Sequence, residues 1–293
     1  MGAAKLPLVF IAGAGHSGST LLERLVSGAR GHLGLGEVYQ LIDQRNPIRH
    51  SLGLHRCSCG VAIDACRFWT AAIAALSQVE HASEAARYAA LADHLIDAAP
   101  RGSVLIDSSK SPRALMHLVA SGRFEIKVLH LVRDIRAWLI AQKRADRRND
   151  IATLPQNIRR YGTFKGARRY ALRSSLARAW HWKVTQQTVR RVIARHSLPH
   201  LPVSYERLCF APDRVAGEIG AFLGTTIPPY AAGAVCDDSH SIFGNRMRFD
   251  PAKLSQITYD YGWLADDAWL WTYALTPGLR RLNRSLLETG DQA

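Results

Sequence analysis

Short apolar runs alternate with longer amphipathic stretches along most of the chain. Four runs have the length and composition of buried strands: 7–12, 103–107, 126–132 and 201–204. Between them, apolar positions recur at helical spacing. The predicted helices cover 19–29, 68–78, 83–98, 112–120, 134–145, 168–196 and 213–223. Strands that alternate with helices predict an α/β fold, in which helices flank a parallel sheet.

The chain contains no internal repeat and no low-complexity tract. Its 293 residues, 47% of them hydrophobic, are enough to bury one sizeable core. We therefore predict a single domain over residues 1–293. The segment 143–183 is dense in Arg and Lys with aromatic residues between them, and we interpret it as a basic helical insertion in that domain.

A strand, a glycine-rich turn and a helix follow one another within residues 7–22, as in phosphate-binding loops. Gly13 and Gly18 hold the outer glycine positions of the triphosphate loop G-x-x-x-x-G-K-[ST]. Ser19 stands where that loop has its lysine, and Thr20 follows. The sequence therefore predicts a loop that cradles a phosphate through backbone N–H groups and hydroxyls, without the usual cation for a triphosphate and without magnesium.

The loop Gly15-His16-Ser17-Gly18-Ser19-Thr20 closely resembles the 5′-phosphosulfate loop of sulfotransferases that use 3′-phosphoadenosine 5′-phosphosulfate (PAPS). The resemblance implies a P-loop-like fold and implies that these six residues bind the donor. His16 occupies a position that is usually Lys or Arg in the family. A protonated His16 would stabilise the leaving phosphate.

The segment 130–137, His-Leu-Val-Arg-Asp-Ile-Arg-Ala, is similar to the family's 3′-phosphate segment. By that resemblance Arg133 clamps the nucleotide 3′-phosphate bidentately. The family's serine eight residues later is Ala141 here, and Gln142 or Arg136 is our candidate for supplying the contact that the serine makes in the family. The alternative is a solvated Arg133–Asp134 pair at a helix start.

Two later stretches complete the family's order of motifs. Tyr205, in Val-Ser-Tyr-Glu-Arg-Leu, is similar to a tyrosine that approaches the nucleotide, although a tyrosine at a core edge fits the position equally well. The stretch 240–248 resembles the family's H-x-x-x-G-N-x-x-R pattern. It implies that Asn245, Arg246 and Arg248 form a nucleotide lid, the alternative being a basic surface loop.

The catalytic candidates are Glu37, His16 and Lys110. Glu37 matches the family's Gly-Glu position and is our candidate general base, or else a structural carboxylate paired with a nearby arginine. Lys110, in the segment 107–112, resembles a family residue whose ammonium bridges the transferring group. A merely solvated lysine is unfavourable there, because Pro112 opens a helix whose positive end repels cations.

A formal net charge of +14 and a pI near 10 favour anionic partners in general. If the resemblance holds, the segment 143–183 is the candidate acceptor wall. We expect the acceptor to be a glycan, a glycolipid or a small hydroxylated metabolite, and the charge of this segment favours an anionic one. We expect no nucleic-acid partner.

Three closely spaced cysteines, Cys57, Cys59 and Cys66, offer thiolates that zinc can bind. The C-x-C spacing is short for a structural finger, and a fourth ligand would have to come from His55 or elsewhere. A similar cysteine segment is found in many bacterial sulfotransferases. We expect a packing or redox-labile role for these thiols and no metal site.

Two other functions remain open at this stage. A P-loop kinase would use Asp107, at the end of an apolar run, to hold Mg²⁺ and Arg133 as a lid arginine, but Ser19 in place of the lysine speaks against it. A non-catalytic RNA- or anion-binding protein would explain the charge, but not the order of the motifs.

The first residues give no indication of a signal peptide, because the short apolar stretch leads directly into the glycine loop. No run approaches the roughly 20 apolar residues of a membrane helix. We therefore expect a cytoplasmic protein without a transmembrane segment.

Overall fold

A five-stranded parallel sheet lies at the centre of the protein. The structure, a computed structural model, describes residues 5–147, 174–230, 239–250 and 257–289. The strands are β1 (Leu6–Gly13), β2 (His32–Gly36), β3 (Val104–Lys110), β4 (Phe124–Val132) and β5 (His200–Ser204). They are arranged in the order β2-β3-β1-β4-β5, and every neighbouring pair is parallel. The predicted α/β fold with a parallel sheet is confirmed.

Helices flank this sheet. The helices in the described residues are α1 (Ser19–Ser27), α2 (Tyr39–Ile42), α3 (Arg67–Gln78), α4 (Glu84–Ala98), α5 (Pro112–Ser121), α6 (135–147), α7 (Ser175–Arg195), α8 (Tyr205–Phe210), α9 (Pro212–Leu223), α10 (Leu270–Leu275) and α11 (Pro277–Thr289). Short 3-10 helices lie at Pro47–Leu54, Ile63–Ala65, Arg246–Phe249, Tyr261–Trp263 and Asp267–Trp269. Of the predicted helix 168–196, the first residues lie outside the described part of the chain.

Strand β1 shows why the sheet is buried on both faces. Leu8, Phe10 and Ala12 belong to one apolar cluster, whereas Val9 and Ile11 belong to another. Successive side chains of a strand point to opposite faces, so a strand covered on both sides is apolar at every position. This is the continuous apolar run by which the strand was predicted.

Strand β2 was not predicted, and its composition explains why. Its sequence, His-Leu-Gly-Leu-Gly, contains two glycines, which are depleted in strands, and no β-branched residue. Gly36 has a left-handed φ of 78°, and a side chain there would overlap the backbone of Ile242. The strand is therefore specified by close contact with a distant part of the chain, which local pattern does not reveal.

The end of the described chain packs against the start of α6. The Asn283 side chain accepts a hydrogen bond from the Ile135 N–H (3.0 Å) and donates one to Asp134 Oδ2 (3.4 Å). Lys143 pairs with Asp266 at 2.9 Å. These contacts connect the segment 257–289 to the strand end that carries Arg133. Within the described residues, no helix combines the length and apolarity that crossing a bilayer requires.

Candidate functional site

Each of the five strands ends in a residue or loop that the sequence marked as functional. The glycine loop follows β1, Glu37 follows β2, Lys110 ends β3, Arg133 follows β4 and Tyr205 follows β5. Because the strands are parallel, these five positions share the carboxyl edge of the sheet, where open α/β sheets bind ligands. We refer to this edge, with the loop, as the candidate site.

The glycine loop is held from behind by two side chains. Trp138 Nε1 donates a hydrogen bond to the Gly15 carbonyl at 2.6 Å, and Arg133 Nη1 donates one to the His16 carbonyl at 3.1 Å. Gly18 adopts φ 94° before α1, and a side chain on it would collide with the Tyr205 ring. With these carbonyls turned away, the loop is arranged to present N–H groups and hydroxyls to an anion.

Arg133 is buried and has three partners. Besides the His16 carbonyl, it pairs with Asp260 Oδ2 at 3.2 Å, and its guanidinium carbon lies 4.5 Å from the centre of the Tyr205 ring. It is therefore not the solvated arginine of the alternative interpretation. Its role toward a 3′-phosphate stays a prediction.

Glu37 and Lys110 form an ion pair between the ends of neighbouring strands. Gln40 Nε2 donates to the second oxygen of the Glu37 carboxylate at 2.5 Å, and Lys110 Nζ also donates to the Ser108 carbonyl at 3.1 Å. A side chain at Gly244 would lie 3.3 Å from Glu37 Oε1 and 3.7 Å from Thr20 Oγ1. Glu37 therefore lies beside the start of α1, where the glycine loop ends, and its cationic partner is a lysine rather than an arginine.

Backbone strain is concentrated in the candidate site. Four non-glycine residues among those described have a left-handed φ, and three of them are His16 (62°), Lys110 (65°) and Phe243 (58°). The first lies in the glycine loop, the second ends β3, and the third precedes Gly244. Such conformations cost on the order of 1–3 kcal/mol each and persist where the surroundings impose them, often at functional sites.

A buried carboxylate that the sequence analysis missed joins the elements around the site. Glu23 of α1 accepts hydrogen bonds from the Gly36 N–H (2.8 Å), Ser108 Oγ (2.6 Å) and Ser241 Oγ (2.6 Å). Burial raises the pKa of Glu23, and these hydrogen bonds oppose the increase. The sequence indicated Glu23 in one way only, because it is the single acidic residue among the apolar positions of α1.

The segment 239–250 runs alongside β2 and reaches the site. His240 N–H donates to the Gly34 carbonyl and Ile242 N–H to the Leu35 carbonyl, both at 3.0 Å. Arg248 Nη2 donates to the Arg56 carbonyl at 3.0 Å, and burial lowers the Arg248 pKa while the Glu23 and Glu37 charges raise it.

Of the predicted lid residues, Arg248 therefore lies near Glu23 and Glu37. Asn245 is exposed and adjoins Gly244. The side chain of Arg246 lies outside the described part of the structure. The lid role of all three stays a prediction.

Asp107, the possible magnesium ligand of a kinase, is buried in β3. It accepts hydrogen bonds from the Ser109 N–H (2.8 Å) and from the Ser109 hydroxyl. Burial raises the pKa of Asp107 to about 7, with a smaller contribution from the Glu23 charge. A carboxyl group in this surrounding is a poor ligand for a hard cation, which requires an ionised and accessible oxygen.

The two residues expected to replace the family's serine at Ala141 are engaged elsewhere. Arg136 pairs with Asp134 at 2.7 Å and lies over the ring of Trp263. Gln142 Nε2 donates to Asp146 Oδ1 at 2.9 Å. These contacts do not support the prediction that Arg136 or Gln142 replaces the family's serine, which stays a prediction.

Most of the basic segment 143–183 lies outside the described residues, which stop at 147 and resume at 174. Of its aromatic residues, Trp182 is fully buried in the core, whereas Trp180 is exposed with Lys183 5.3 Å from its ring. The acceptor wall stays a prediction.

A protein-family model matches most of this chain. The family model described as "Sulfotransferase family" matches residues 7–229, which include the glycine loop, Glu37, Lys110, Arg133 and Tyr205. The chain belongs to the sulfotransferase family. It is therefore a transferase of the sulfuryl group, and the resemblance inferred from the order of the motifs is confirmed. A search of curated proteins finds no significant match.

Three solved sulfotransferase structures are similar to this chain, one of them with a TM-score above 0.5. The sulfotransferase domain from the curacin biosynthetic pathway is 17% identical, with a TM-score of 0.54 over 97% of this chain and 98% of that one. The sulfotransferase domain from the Synechococcus PCC 7002 olefin synthase is 22% identical, with a TM-score of 0.45 over 94% and 97%. A sulfotransferase from Alicyclobacillus acidocaldarius is 16% identical, with a TM-score of 0.40 over 77% and 83%.

Proposed function

We propose that this sulfotransferase moves the sulfuryl group of PAPS to a hydroxyl group of a glycan, a glycolipid or a small hydroxylated metabolite. The observation that carries the proposal is the meeting of the glycine loop, Glu37 and Lys110 at one edge of the sheet. An anion cradle, a candidate base and a cation are the groups that transfer of a sulfuryl group to a hydroxyl requires.

The loop residues fit a phosphosulfate. Ser17 Oγ is buried in the glycine loop without a hydrogen-bond partner in the described structure, and so is Arg133 Nε behind it. Buried donors of this kind are costly unless a ligand or water satisfies them. We assign the 5′-phosphosulfate of PAPS to the residues Gly15, His16, Ser17, Gly18, Ser19 and Thr20, and the 3′-phosphate side to Arg133.

When bound, PAPS supplies a sulfuryl group that is activated for transfer. Glu37 accepts the proton of the acceptor hydroxyl as that hydroxyl attacks. Lys110, which pairs with Glu37 in this structure, turns toward the transferring group and neutralises the charge that grows on the leaving oxygen. The exchange of partners frees the Glu37 carboxylate at the moment when a base is required. His16, in the loop itself, adds a hydrogen bond to the same oxygen.

Tyr205, Asn245, Arg246 and Arg248 complete the proposed nucleotide site. Tyr205 already packs on Gly18 and on the Arg133 guanidinium, so its ring limits how far both can move. The three later residues lie on the segment that passes Glu37, and we assign them to the lid over the nucleotide. Binding of the donor requires no metal in this scheme.

The first experiment is a calorimetric titration of the purified protein with adenosine 3′,5′-bisphosphate, compared with ATP and Mg²⁺. We expect tight binding of the bisphosphate that is unchanged when Mg²⁺ is omitted. Preference for Mg²⁺-ATP would contradict the proposal and favour a kinase. Binding of neither nucleotide would contradict it as well.

A second titration tests the assignment of Arg133. The Arg133→Ala variant should bind adenosine 3′,5′-bisphosphate more weakly by about 1.5–3 kcal/mol, with little change for adenosine 5′-monophosphate. Arg30→Ala, which removes an exposed arginine before β2 at the opposite edge of the sheet, is the matched control. Equal losses for both nucleotides would show that Arg133 only supports the loop.

A further inference from the structure

We infer that Cys57, Cys59, Cys66 and His240 form a structural zinc site outside the proposed catalytic machinery. The three sulfur atoms and one ring nitrogen of these residues all lie within 4.8 Å of one another. No metal site was predicted from the sequence, because the C-x-C spacing is short for a structural finger and the fourth ligand would have to come from His55 or elsewhere. His240, more than 170 residues later in the chain, is that fourth ligand.

The ligand separations are those of a tetrahedral zinc site. With Zn–S near 2.3 Å and Zn–N near 2.0–2.1 Å, a tetrahedron places two sulfurs about 3.8 Å apart and a sulfur and a nitrogen about 3.6 Å apart. Cys66 Sγ lies 3.7 Å from both Cys57 Sγ and Cys59 Sγ. His240 Nδ1 lies 3.4 Å from Cys66 Sγ and 3.7 Å from Cys57 Sγ. Four of the six edges therefore match.

Different elements bring the four ligands together. Cys57 and Cys59 belong to a tight turn closed by the Arg56–Ala62 bridge and by the Cys57 N–H, which donates to the Val61 carbonyl at 2.9 Å. Cys66 directly precedes α3. The fold thus builds a compact cluster from separate segments of the chain.

The His240 ring is held in the orientation that ligation requires. Phe68 stacks on it, with ring centres 4.7 Å apart and planes 9° from parallel. Trp69 Nε1 donates to the His240 carbonyl at 2.7 Å, and the His240 N–H donates to the Gly34 carbonyl at 3.0 Å. Fixed ligands and support from surrounding residues are typical of metal sites.

A disulfide does not explain this arrangement. It requires two sulfurs at about 2.0 Å and leaves the third thiol and the imidazole without a reason to converge. Here one sulfur, that of Cys66, is equidistant from two others and also faces a ring nitrogen. Three thiolates and one imidazole in a tetrahedron select Zn²⁺ among the common divalent ions.

Four protein ligands leave no open position, so the metal has a structural role. It fastens the turn 56–62 and the start of α3 to the segment 239–250. Ser58 Oγ strengthens the same junction by donating to the Ser239 carbonyl at 2.7 Å and accepting from the Ser241 N–H at 2.9 Å. The inference does not depend on the donor or the acceptor proposed above.

The test measures zinc in the tag-free full-length protein by mass spectrometry after desalting. We expect about one zinc per chain. After removal of the metal under reducing conditions, added Co²⁺ should give the visible d–d bands of a tetrahedral site and a thiolate charge-transfer band in the near ultraviolet. A zinc content far below one together with no such Co²⁺ spectrum would overturn the inference.

Two ligand variants and one control locate the metal. Cys59→Ser, at the exposed ligand, and His240→Ala should each lose most of the zinc and lower the melting temperature. Cys209→Ser, at a thiol outside the cluster, should retain one zinc. Circular dichroism identifies any variant that fails to fold. The zinc content of a folded Cys59→Ser protein then tests whether Cys59 binds the metal. Full zinc occupancy in both ligand variants would place the metal elsewhere and overturn the inference.

Discussion

The ion pair between Glu37 and Lys110 combines two charged groups that are both largely shielded from water. Their side chains are 20% and 13% exposed. Removing one partner of such a pair leaves the other charge poorly solvated, so the two are expected to act together. In the proposed reaction the pair also separates, because Glu37 then interacts with the acceptor hydroxyl and Lys110 with the transferring group.

Glu37→Gln should lower kcat by roughly 10²-fold or more, because an amide cannot accept the proton of the acceptor hydroxyl. Binding of adenosine 3′,5′-bisphosphate should stay close to that of the wild type, since Glu37 is not assigned to the nucleotide. Steady-state kinetics and calorimetry measure the two effects separately.

Asp93→Asn is the matched control for this variant. It also removes a carboxylate from an ion pair, with Arg123, but at an exposed position away from the carboxyl ends of the strands. We expect its kcat to be unchanged. A Glu37→Gln enzyme that turns over at the rate of this control would remove Glu37 from the mechanism.

Lys110 and Arg133 became candidates from the sequence because each follows a predicted strand, and the strand ends of a parallel sheet share an edge. Glu37 follows β2, which was not predicted, and became a candidate through its match to the family's Gly-Glu position. Their partners could not be assigned. Lys110 with Glu37, Arg133 with Asp260 and the Glu23 junction each join positions that are far apart in sequence.

Among elements, the contact between β2 and the segment 239–250 positions Glu37. Gly36 N–H donates to Glu23, and Glu37 N–H donates to the Ile242 carbonyl at 2.9 Å. Gly36 itself requires a left-handed φ and has no room for a side chain. The position of the candidate base therefore depends on a glycine in the strand before it.

Gly36→Ala should destabilise the protein by roughly 2 kcal/mol or more, because a methyl group meets the backbone of Ile242 and the φ is unfavourable for alanine. It should also reduce the turnover rate by displacing Glu37. Chemical denaturation and kinetics report the two effects.

Gly217→Ala is the comparison within the same protein. Gly217 is exposed within α9, with open space where a side chain would be added. We expect this change to stabilise the protein by about 0.5–1 kcal/mol. Equal effects of the two substitutions would show that the contact at Gly36 is unimportant.

Strand β4 and helix α7 are joined by a buried histidine. His130 Nε2 donates to Gln186 Oε1 at 2.6 Å, and burial lowers the pKa of His130 to about 4. A histidine with a lowered pKa binds its proton more readily after unfolding. Its contribution to the free energy of unfolding is therefore complete above about pH 6.5 and is lost as the pH falls toward 4.

The free energy of unfolding of the wild-type protein should fall as the pH decreases from about 6.5 to about 4. His130 should contribute up to about 1.4 kcal/mol per pH unit to this slope. His130→Gln cannot bind the proton and should show a shallower slope, measured by urea denaturation at several pH values. His196→Gln, at an exposed histidine after α7, should retain the wild-type slope. A slope that is the same in all three proteins would contradict the assignment.

β1, β3 and β4 were predicted from apolar runs, because a strand buried on both faces is specified by its own composition. The edge strand β5, which is only partly buried, was predicted from a shorter run. β2 was not predicted, because its two glycines are required by close contacts with Glu23 and Ile242. Those contacts are distant in sequence and leave no sign in the residues around the strand. The zinc ligand His240 was not recognised as one for the same reason. Contacts between segments that are distant in sequence leave no local pattern to detect.

At the scale of the whole molecule, the segment 257–289 supports the candidate site from behind. Asp260 pairs with Arg133, and Asn283 satisfies the N–H of Ile135 at the start of α6. Both contacts act on residues next to the carboxyl end of β4. The geometry near the glycine loop is therefore partly determined by the segment 257–289.

Asn283→Ala should lower the free energy of unfolding by about 1–3 kcal/mol, because it leaves a buried N–H group without a partner. It should also weaken binding of adenosine 3′,5′-bisphosphate modestly, through Arg133. Arg284→Ala, at the neighbouring exposed position, should change neither quantity. If the free energy of unfolding of Asn283→Ala equals that of the wild type, the hydrogen bond between Asn283 and the Ile135 N–H does not stabilise the protein.

The dependence of Arg133 on Asp260 also orders events during translation. All five strands have left the ribosome once residue 204 is free, whereas Asp260 and Asn283 emerge later. The strands of the described sheet are therefore all synthesised before the residues that support the glycine loop. Under the proposed function, chains that stop before residue 257 should therefore bind the sulfuryl donor more weakly than chains that contain residues 257–289.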